Sequence, residues 1–266
     1  MLFLVKHYLL TNKFLSHLFN TKYGLNKIFL IFKPHYCILF LVIYMKGIIF
    51  DFNGTLFLDS PYHEMAWKRY AKEKLGIEVT TEQYYKYFHG STNPIIYERL
   101  FNKPIPKELI GIFGEEKEAL YREECIKNKT TLSFAKGAYK LLDFLNEYNI
   151  PHAIATSSEI NNVNFFNELF NLEQWFKMEH IIYDDGTVRG KPHPDLYLKA
   201  GKTLGVDMKD LIIVEDACSG IQAAKASGAG LSVGICPDGK EKFVGAEYAD
   251  LLIEDFTELD FSLFEY

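Results

Sequence analysis

The sequence predicts an α/β fold: a parallel sheet with helices on both faces, and an all-helical subdomain inserted after the first strand. From about residue 136 onwards, short apolar runs alternate with helical patterns. An earlier apolar run ends in Asp51 and a glycine turn, and residues 59–131 then show helical signals with almost no strand signals. Alternation of strands and helices is typical of a parallel sheet. At 266 residues the chain is long enough for one such domain and the inserted subdomain.

The extension that precedes the first strand, residues 1–44, contains five lysines and no acidic residue. A membrane-spanning helix needs about 18 or more apolar residues, and Lys33, Pro34 and His35 interrupt the best candidate run. The segment also lacks the small-residue cleavage site of a signal peptide. Because Met45 opens a stretch typical of the start of a domain, we expect this extension to reflect a start codon placed too early, or else a weak membrane anchor.

The first strand of the predicted sheet covers residues 46–50, a short apolar run that is typical of a buried parallel strand. Asp51 follows it, and Gly54 lies in the turn that comes next. Open α/β sheets bind ligands at the carboxyl ends of their strands. Asp51 is therefore the first candidate site residue.

The inserted segment is predicted to form four helices. The first takes Ser60 as its N-cap and Pro61 as its first helical residue, and it ends before Gly76. Its apolar face consists of His63, Ala66, Trp67, Tyr70 and Ala71. The other three helices are predicted over residues 82–88, from Asn93 onwards, and over residues 106–127.

The predicted domains follow from these helices. Residues 59–131 form a helical cap, and residues 45–58 and 132–266 form the core. A cap of this kind can close over a pocket and exclude water.

The core continues with strands and helices in alternation. Its first helix, residues 138–148, has an apolar face formed by Leu141, Leu142, Leu145 and Tyr148. The further strands are predicted at residues 152–155, 181–183, 211–214, 231–235 and 251–253, and the further helices at residues 161–170, 194–204 and 220–227.

The composition argues against a nucleic-acid-binding protein. Beyond residue 44 the chain carries 24 basic and 35 acidic side chains, a net charge of −11, whereas nucleic-acid surfaces are basic. The four cysteines lie far apart without a C-x-x-C pair, which indicates neither a zinc site nor a disulfide framework. We therefore expect a cytoplasmic, monomeric protein without a nucleic-acid or membrane partner.

Polar side chains follow four of the predicted core segments. Because the carboxyl ends of parallel strands meet at one edge of a sheet, we expect these side chains to lie close together. In chain order they are Asp51, Thr156 with Ser157 and Ser158, Lys191, and the pair Glu215-Asp216.

Each of these side chains suits a role in phosphoryl transfer, which depends on positioning and charge neutralisation. A carboxylate such as Asp51 can attack phosphorus to give an aspartyl-phosphate. Mg²⁺ prefers oxygen ligands, so Asp51 and Asp216 can hold it while Glu215 orients a bound water. Lys191 offers a positive charge to the phosphoryl oxygens, and Thr156 offers a hydroxyl and a backbone N–H. Taken singly, such residues are more often caps, turns or solvated charges, but their common placement argues for one site.

Together these segments resemble the four motifs of the haloacid dehalogenase-like (HAD) phosphohydrolases. The resemblance covers nearly everything from Met45 onwards and implies a Rossmann-like core with Asp51 as the nucleophile. It also implies that the metal takes the backbone carbonyl of Asn53. The helical cap is similar to that of the β-phosphoglucomutase and sugar-phosphate phosphatase subgroup, as are His63 and Trp67, twelve and sixteen residues after the nucleophile. The matching motifs are Asp51-x-x-Gly54-Thr55, Thr156, Gly190-Lys191-Pro192 and Val214-Glu215-Asp216.

Asn53 departs from the family pattern, which has a second aspartate at this place. The resemblance implies that this aspartate protonates the leaving group and then activates water. An amide cannot exchange protons at neutral pH, and general acid–base catalysis contributes about 10² to 10⁴ in rate. Three interpretations stay open: a slow enzyme for a substrate with a good leaving group, proton transfer by His63 instead, or a binding protein that traps the aspartyl-phosphate. His63 can equally be a histidine packed beside Trp67, and HAD members that cleave C–P or C–halogen bonds also lack this aspartate.

The cap also lacks the arginine that grips the distal phosphate in β-phosphoglucomutase. Residues 90–93 contain no arginine, and Asn93 occupies about its place. Lys117 is the remaining candidate for a cap charge, although a lysine flanked by glutamates on a helix is more often solvated, and lysine does not replace a bidentate guanidinium.

We therefore predict a Mg²⁺-dependent phosphatase for a small phosphorylated metabolite such as a sugar phosphate. A mutase and a weakened binding protein are the alternatives. The predicted substrate contacts are Thr156, Ser157, Lys191 and Lys117.

Overall fold

The computed structural model describes residues 27–33, 36–42, 44–88 and 93–264. The greater part of the predicted extension, including residues 1–26, lies outside the described residues. Two strands within it, β1 (Lys27–Lys33) and β2 (Tyr36–Val42), pair in antiparallel and form a sheet of their own. Among the described residues, no helix is long and apolar enough to cross a membrane.

The rest of the described chain alternates between strands and α-helices, apart from five consecutive helices between β3 and β4 and two consecutive strands, β7 and β8, at the end. In chain order the elements are β3 (Gly47–Phe50), α1 (Ser60–Leu75), α2 (Thr81–Tyr87), α3 (Asn93–Phe101), α4 (Lys107–Lys127), α5 (Ala138–Glu147), β4 (His152–Ala155), α6 (Ile160–Phe170), β5 (Ile181–Ile182), α7 (Asp195–Leu204), β6 (Leu211–Glu215), α8 (Cys218–Ser227), β7 (Leu231–Ile235) and β8 (Leu251–Ile253).

Strands β3 to β8 form one parallel sheet in the order β5-β4-β3-β6-β7-β8. The chain builds the sheet outwards from β3 through β4 to β5, then returns and adds β6 on the other side of β3. This reversal between β3 and β6 is the point at which open α/β sheets bind ligands, at the carboxyl ends of their strands. The predicted α/β class with a Rossmann-like parallel sheet is confirmed.

Helices cover both faces of the sheet because successive strand residues point to opposite sides. On one face Ile48 and Phe50 of β3 pack in the same apolar cluster as Leu141 of α5 and Phe166 of α6. On the other face Ile49 packs with residues of α7 and α8. With both faces covered, β3 is buried along its whole length, and this fixes the position of Asp51 at its end.

Helices α1–α4, called the helical insertion below, pack around an apolar cluster of their own. Four of the five residues predicted for the apolar face of α1 are buried, while the fifth, His63, is only partly buried. The buried four are Ala66, Trp67, Tyr70 and Ala71. These residues meet Tyr84 and other apolar side chains of the insertion. The domain boundaries at residues 59 and 131 stay predictions.

Two local predictions were wrong. Helix α1 begins at Ser60 itself, and Asp59 takes the N-cap position without capping the helix through its side chain, because its carboxylate instead accepts hydrogen bonds from Asn53 and Gly54 in the turn after β3. Tyr148 lies just beyond the end of α5 and is 43% exposed, so the apolar face of that helix ends at Leu145.

Candidate active site

One cavity of about 1180 Å³ lies between the carboxyl edge of the sheet and the helical insertion. All nine side chains predicted for the site contribute to its lining. From the core these are Asp51, Asn53, Thr156, Ser157, Lys191, Glu215 and Asp216, and from the insertion His63 and Lys117.

Lys191 connects two of the carboxylates in this cavity. Its Nζ lies 2.5 Å from Asp51 Oδ1 and 2.5 Å from Glu215 Oε1, and all three side chains are almost fully buried. Glu215 Oε1 also accepts a hydrogen bond from the Tyr197 hydroxyl at 3.0 Å. The lysine thus holds the predicted nucleophile in place, and Tyr197 is a supporting residue that the sequence did not single out.

The charges around Lys191 are unbalanced because it brings one positive charge to three carboxylates. Burial raises the pKa of Asp51 to about 7, against the opposing effect of Lys191, and nearby Glu215 raises it further. Burial likewise raises the pKa of Asp216 well above its usual range, with Glu215 and Asp51 adding to the effect. For Lys191, burial alone would lower the pKa, but the two carboxylates raise it well above its ordinary value. The site is therefore short of positive charge.

The donor set fits a hard divalent cation. Carboxylate oxygens of Asp51, Glu215 and Asp216 lie within 4.8 Å of one another, and oxygen-only ligands are what Mg²⁺ prefers. Gly54 makes room for this cluster, because a Cβ at its position would overlap with the Asp216 carboxylate. Gly220 does the same for Glu215.

Asn53 lies beside the cluster with both ends of its amide occupied. Its Nδ2 donates to Asp59 Oδ2 at 2.5 Å. Its Oδ1 accepts from the hydroxyl of Ser158 at 2.8 Å and from that of Thr156 at 3.4 Å. The exposed Ser157 shows no such contact, so Ser158 is the serine that reaches this part of the site.

Asp59 is a site residue that sequence reasoning missed, since it was taken only as the boundary of the cap. Besides the Asn53 amide, it accepts hydrogen bonds from Gly54 N at 3.1 Å and from the Tyr121 hydroxyl at 2.6 Å. Burial would raise its pKa, but electrostatic attraction to His63 and hydrogen bonds from His63, Tyr121 and Asn53 outweigh burial and lower it. A buried, ionised carboxylate therefore lies next to the amide that replaces the family's aspartate. The sequence feature that could have identified Asp59 is its position between β3 and α1, six residues after Asn53.

Both ring nitrogens of His63 have partners. Nδ1 lies 2.7 Å from Lys117 Nζ, and Nε2 lies 3.3 Å from Asp59 Oδ2. The lysine can only donate, so this pattern assigns the acceptor role to Nδ1 and the proton to Nε2. The ring also stacks on Tyr121, with centroids 4.0 Å apart. In this arrangement His63 has no nitrogen left for a substrate.

Lys117 is buried, although its glutamate-rich surroundings in the sequence are typical of a solvated lysine. It is 2% exposed. Its Nζ donates to Glu118 at 2.8 Å and lies 5.3 Å from the ring centroid of Trp67 and 5.5 Å from that of Tyr121. The side chain therefore enters the site from the insertion, but its charge is already neutralised by Glu118.

The part of the predicted distal-phosphate region that contains residues 90–92 lies outside the described residues. Asn93, which follows, lines the cavity.

Comparisons with known proteins bear on the family of this chain. The profile of the haloacid dehalogenase-like hydrolases matches residues 45–228. A phosphorylated carbohydrates phosphatase of Thermotoga maritima is 28% identical over 69% of this chain and 82% of its own length. The β-phosphoglucomutase of Bacillus subtilis is 29% identical over 82% of this chain and 93% of its own length.

A solved structure is also similar. The HAD hydrolase of family IA, variant 3, from Entamoeba histolytica is 38% identical, and it aligns with a TM-score of 0.75 over 82% of this chain and 97% of that chain. The profile match, the relatives and the similar solved structure lead to one conclusion: the chain belongs to the haloacid dehalogenase-like hydrolase family, with relatives in its β-phosphoglucomutase subgroup.

Proposed function

We propose that the protein is a Mg²⁺-dependent phosphatase that hydrolyses a small phosphorylated metabolite through an aspartyl-phosphate on Asp51. The observation that carries the proposal is the buried Asp51 carboxylate, 2.5 Å from Lys191 Nζ, in a cavity closed on its other side by the helical insertion. Two relatives, named as a phosphorylated carbohydrates phosphatase and a β-phosphoglucomutase, support a sugar phosphate as the substrate.

Four residues would hold Mg²⁺ in this proposal. Asp51 and Asp216 provide carboxylate oxygens, Asn53 provides its backbone carbonyl, and Glu215 orients a bound water. A carbonyl ligand is the same for asparagine as for aspartate, so the substitution at residue 53 leaves this donor intact. When bound, the cation would neutralise charge on the carboxylates and on the phosphoryl oxygens.

The first chemical step forms a bond between an Asp51 carboxylate oxygen and phosphorus. The bond from phosphorus to the leaving-group oxygen breaks, and that oxygen keeps the electron pair and takes up a proton from solvent. Water then attacks the phosphorus of the aspartyl-phosphate, which releases phosphate and restores the Asp51 carboxylate. Lys191 and the Thr156 hydroxyl hold the phosphoryl oxygens during both steps. Asn53 can neither give nor take the protons, so both steps proceed without the family's usual help.

The insertion acts as a cap in this proposal, closing for the first step and opening to admit water for the second. A cytoplasmic, monomeric protein without a nucleic-acid partner stays a prediction. The mutase alternative predicts interconversion of sugar phosphates without phosphate release. The binding-protein alternative predicts that Asp51 is phosphorylated but not turned over.

The test measures Mg²⁺-dependent phosphate release from a panel of sugar phosphates and from p-nitrophenyl phosphate. Asp51→Asn serves as the matched control, because it keeps the shape of the side chain and removes the nucleophile. We expect release that requires Mg²⁺ and Asp51, with a burst of p-nitrophenolate before the steady state, since the second step lacks a base. Release that persists in Asp51→Asn would refute the proposal, and a burst without further turnover would favour the binding protein.

A further inference from the structure

Asn162 is a buried polar side chain of the core that meets two charged side chains of the helical insertion. It lies near the start of α6 and is 6% exposed. Its Oδ1 accepts a hydrogen bond from Arg122 Nη1 at 2.7 Å, and its Nδ2 donates to Glu118 Oε2 at 2.9 Å. Both partners belong to α4.

These two hydrogen bonds fix the orientation of the amide. Each is charge-assisted, because one partner is a guanidinium and the other a carboxylate. The acceptor end must face Arg122 and the donor end must face Glu118. An aspartate of the same shape would satisfy the first partner and repel the second. The bridge therefore requires an amide and not merely a polar residue.

The bridge continues through the insertion to residues 51–54, the turn after β3 that is called the catalytic turn below. Glu118 Oε1 accepts from Lys117, whose Nζ also lies 2.7 Å from His63 Nδ1. His63 Nε2 contacts Asp59 at 3.3 Å, and Asp59 accepts from the Asn53 amide at 2.5 Å. The polar chain thus starts in the core, crosses the helical insertion and returns to the core two residues after the nucleophile.

We propose that Asn162 is a positioning residue that latches the helical insertion onto the core and, through this chain, holds Asp59 and Asn53 in place beside Asp51. The proposal rests on the phosphatase function proposed above. Releasing the latch lets the insertion move away from the cavity, which admits water and displaces the catalytic turn. Small displacements of catalytic groups cost rate even when the overall fold is intact.

The test reverses the direction of the hydrogen bond between residues 162 and 118, in which Asn162 donates and Glu118 accepts. In Asn162→Asp the new carboxylate faces Glu118, so the latch opens. Adding Glu118→Gln restores the latch with reversed polarity, because the amide then belongs to the insertion. Its nitrogen donates to the carboxylate introduced in the core, and its oxygen still accepts from Lys117. Asn164→Asp is the matched control, since Asn164 is an exposed asparagine on the same helix.

Two readouts follow the latch in the full-length protein. The chain has two tryptophans, so the background substitution Trp175→Phe leaves Trp67 as the only source of tryptophan fluorescence. Trp67 lies inside the insertion, and Lys117 Nζ, a member of the polar chain, lies 5.3 Å from its ring centroid. For Asn162→Asp we expect a red-shifted, more quenchable Trp67 emission. We also expect the rate of the p-nitrophenolate burst, which reports the first step with the insertion closed, to fall by about tenfold or more. The double variant should recover both to within about twofold, and Asn164→Asp should match the parent.

The outcomes separate the latch from the proposed function. Failure of the parent to release phosphate from any substrate would refute the phosphatase, while Trp67 emission, measured without substrate, would still decide on the latch. Asn162→Asp with parent-like emission would overturn the latch. A double variant no better than Asn162→Asp would overturn it too, because loss of packing alone is not rescued by reversing the hydrogen bond.

Discussion

Replacing Asn53 by aspartate would restore the family's second carboxylate, but the structure predicts that this change alone destabilises the protein. The Asn53 amide donates to Asp59 Oδ2 at 2.5 Å, so Asn53→Asp would bring two carboxylates together at about that distance. Two unit charges so close repel by about 7 kcal/mol at an effective dielectric constant of about 20. Uptake of one proton avoids the repulsion. At pH 7 protonating an ordinary aspartate costs about 4 kcal/mol. Because this cost is smaller than the repulsion, the variant should lose at most about 4 kcal/mol of unfolding free energy at pH 7.

The penalty should depend on pH with a definite sign. The folded variant keeps a proton that the unfolded chain releases above about pH 4, so its stability relative to the parent falls as pH rises. Between pH 5 and pH 7 the difference in unfolding free energy should therefore grow by about 1.4 kcal/mol per pH unit. Urea unfolding at pH 5, 6 and 7 measures it.

The control is the exchange Asn53→Asp with Asp59→Asn, which keeps one carboxylate and one amide in the pair. The amide at residue 59 has one acceptor oxygen fewer for Tyr121 and His63, so the exchange should cost about 1 to 3 kcal/mol, by the same amount at each pH. The exchange also places a proton-transferring group at residue 53, so phosphate release should rise by as much as about 10² to 10⁴ where proton transfer limits the rate. A pH-independent penalty for Asn53→Asp, or the same pH dependence in the exchanged pair, would refute the reasoning.

Three further predictions concern the metal and the insertion. Gly54→Ala pushes a Cβ into the Asp216 carboxylate at a backbone φ of 78°, so calorimetry should show Mg²⁺ binding weakened by about tenfold or more, with the circular dichroism unchanged. Lys117→Met leaves Glu118 without its lysine, so the unfolding free energy in urea should fall by about 3 kcal/mol, whereas a solvated lysine would change it by less than about 0.5 kcal/mol. Mg²⁺ must displace the proton that Asp51 holds below its pKa of about 7. The affinity of the protein for Mg²⁺ should therefore fall by up to about tenfold per pH unit from pH 7 to pH 5. A Mg²⁺ affinity that does not change with pH would contradict the raised pKa.

The site residues that lie at the ends of strands could be predicted from the sequence, because a local sequence pattern marks where each strand ends. An apolar run before a turn locates Asp51 and Asp216, and parallel pairing brings both to one edge of the sheet. The partner of Asn53 could not be predicted in this way. Asp59 reaches it only because the turn at Gly54 folds the chain back, so that Gly54 N and the Asn53 amide both donate to the Asp59 carboxylate.

The burial of Lys117 could not be predicted from the sequence either. A lysine among glutamates gives the same pattern whether its helix face meets water or another helix. What decides is the packing of α4 against α1, which places the ammonium over Trp67 and beside His63. Helix periodicity identifies which residues share a face, but not what that face contacts when its residues are charged.

The hydrogen bonds of the site bear on what the loss of an aspartate at residue 53 means for the chemistry. Transfer of its role to His63 conflicts with the two partners that occupy the imidazole. The slow enzyme and the binding protein then differ in one quantity, the rate at which water attacks the aspartyl-phosphate. Asp59 bears on that rate, because it is ionised and lies 2.5 Å from the Asn53 amide, yet its oxygens already accept several hydrogen bonds. Any gain in turnover must therefore free this carboxylate from its donors, and two of them, Tyr121 and His63, belong to the insertion. In the proposed mechanism, opening of the insertion and hydrolysis of the intermediate are therefore linked through the Asp59 side chain.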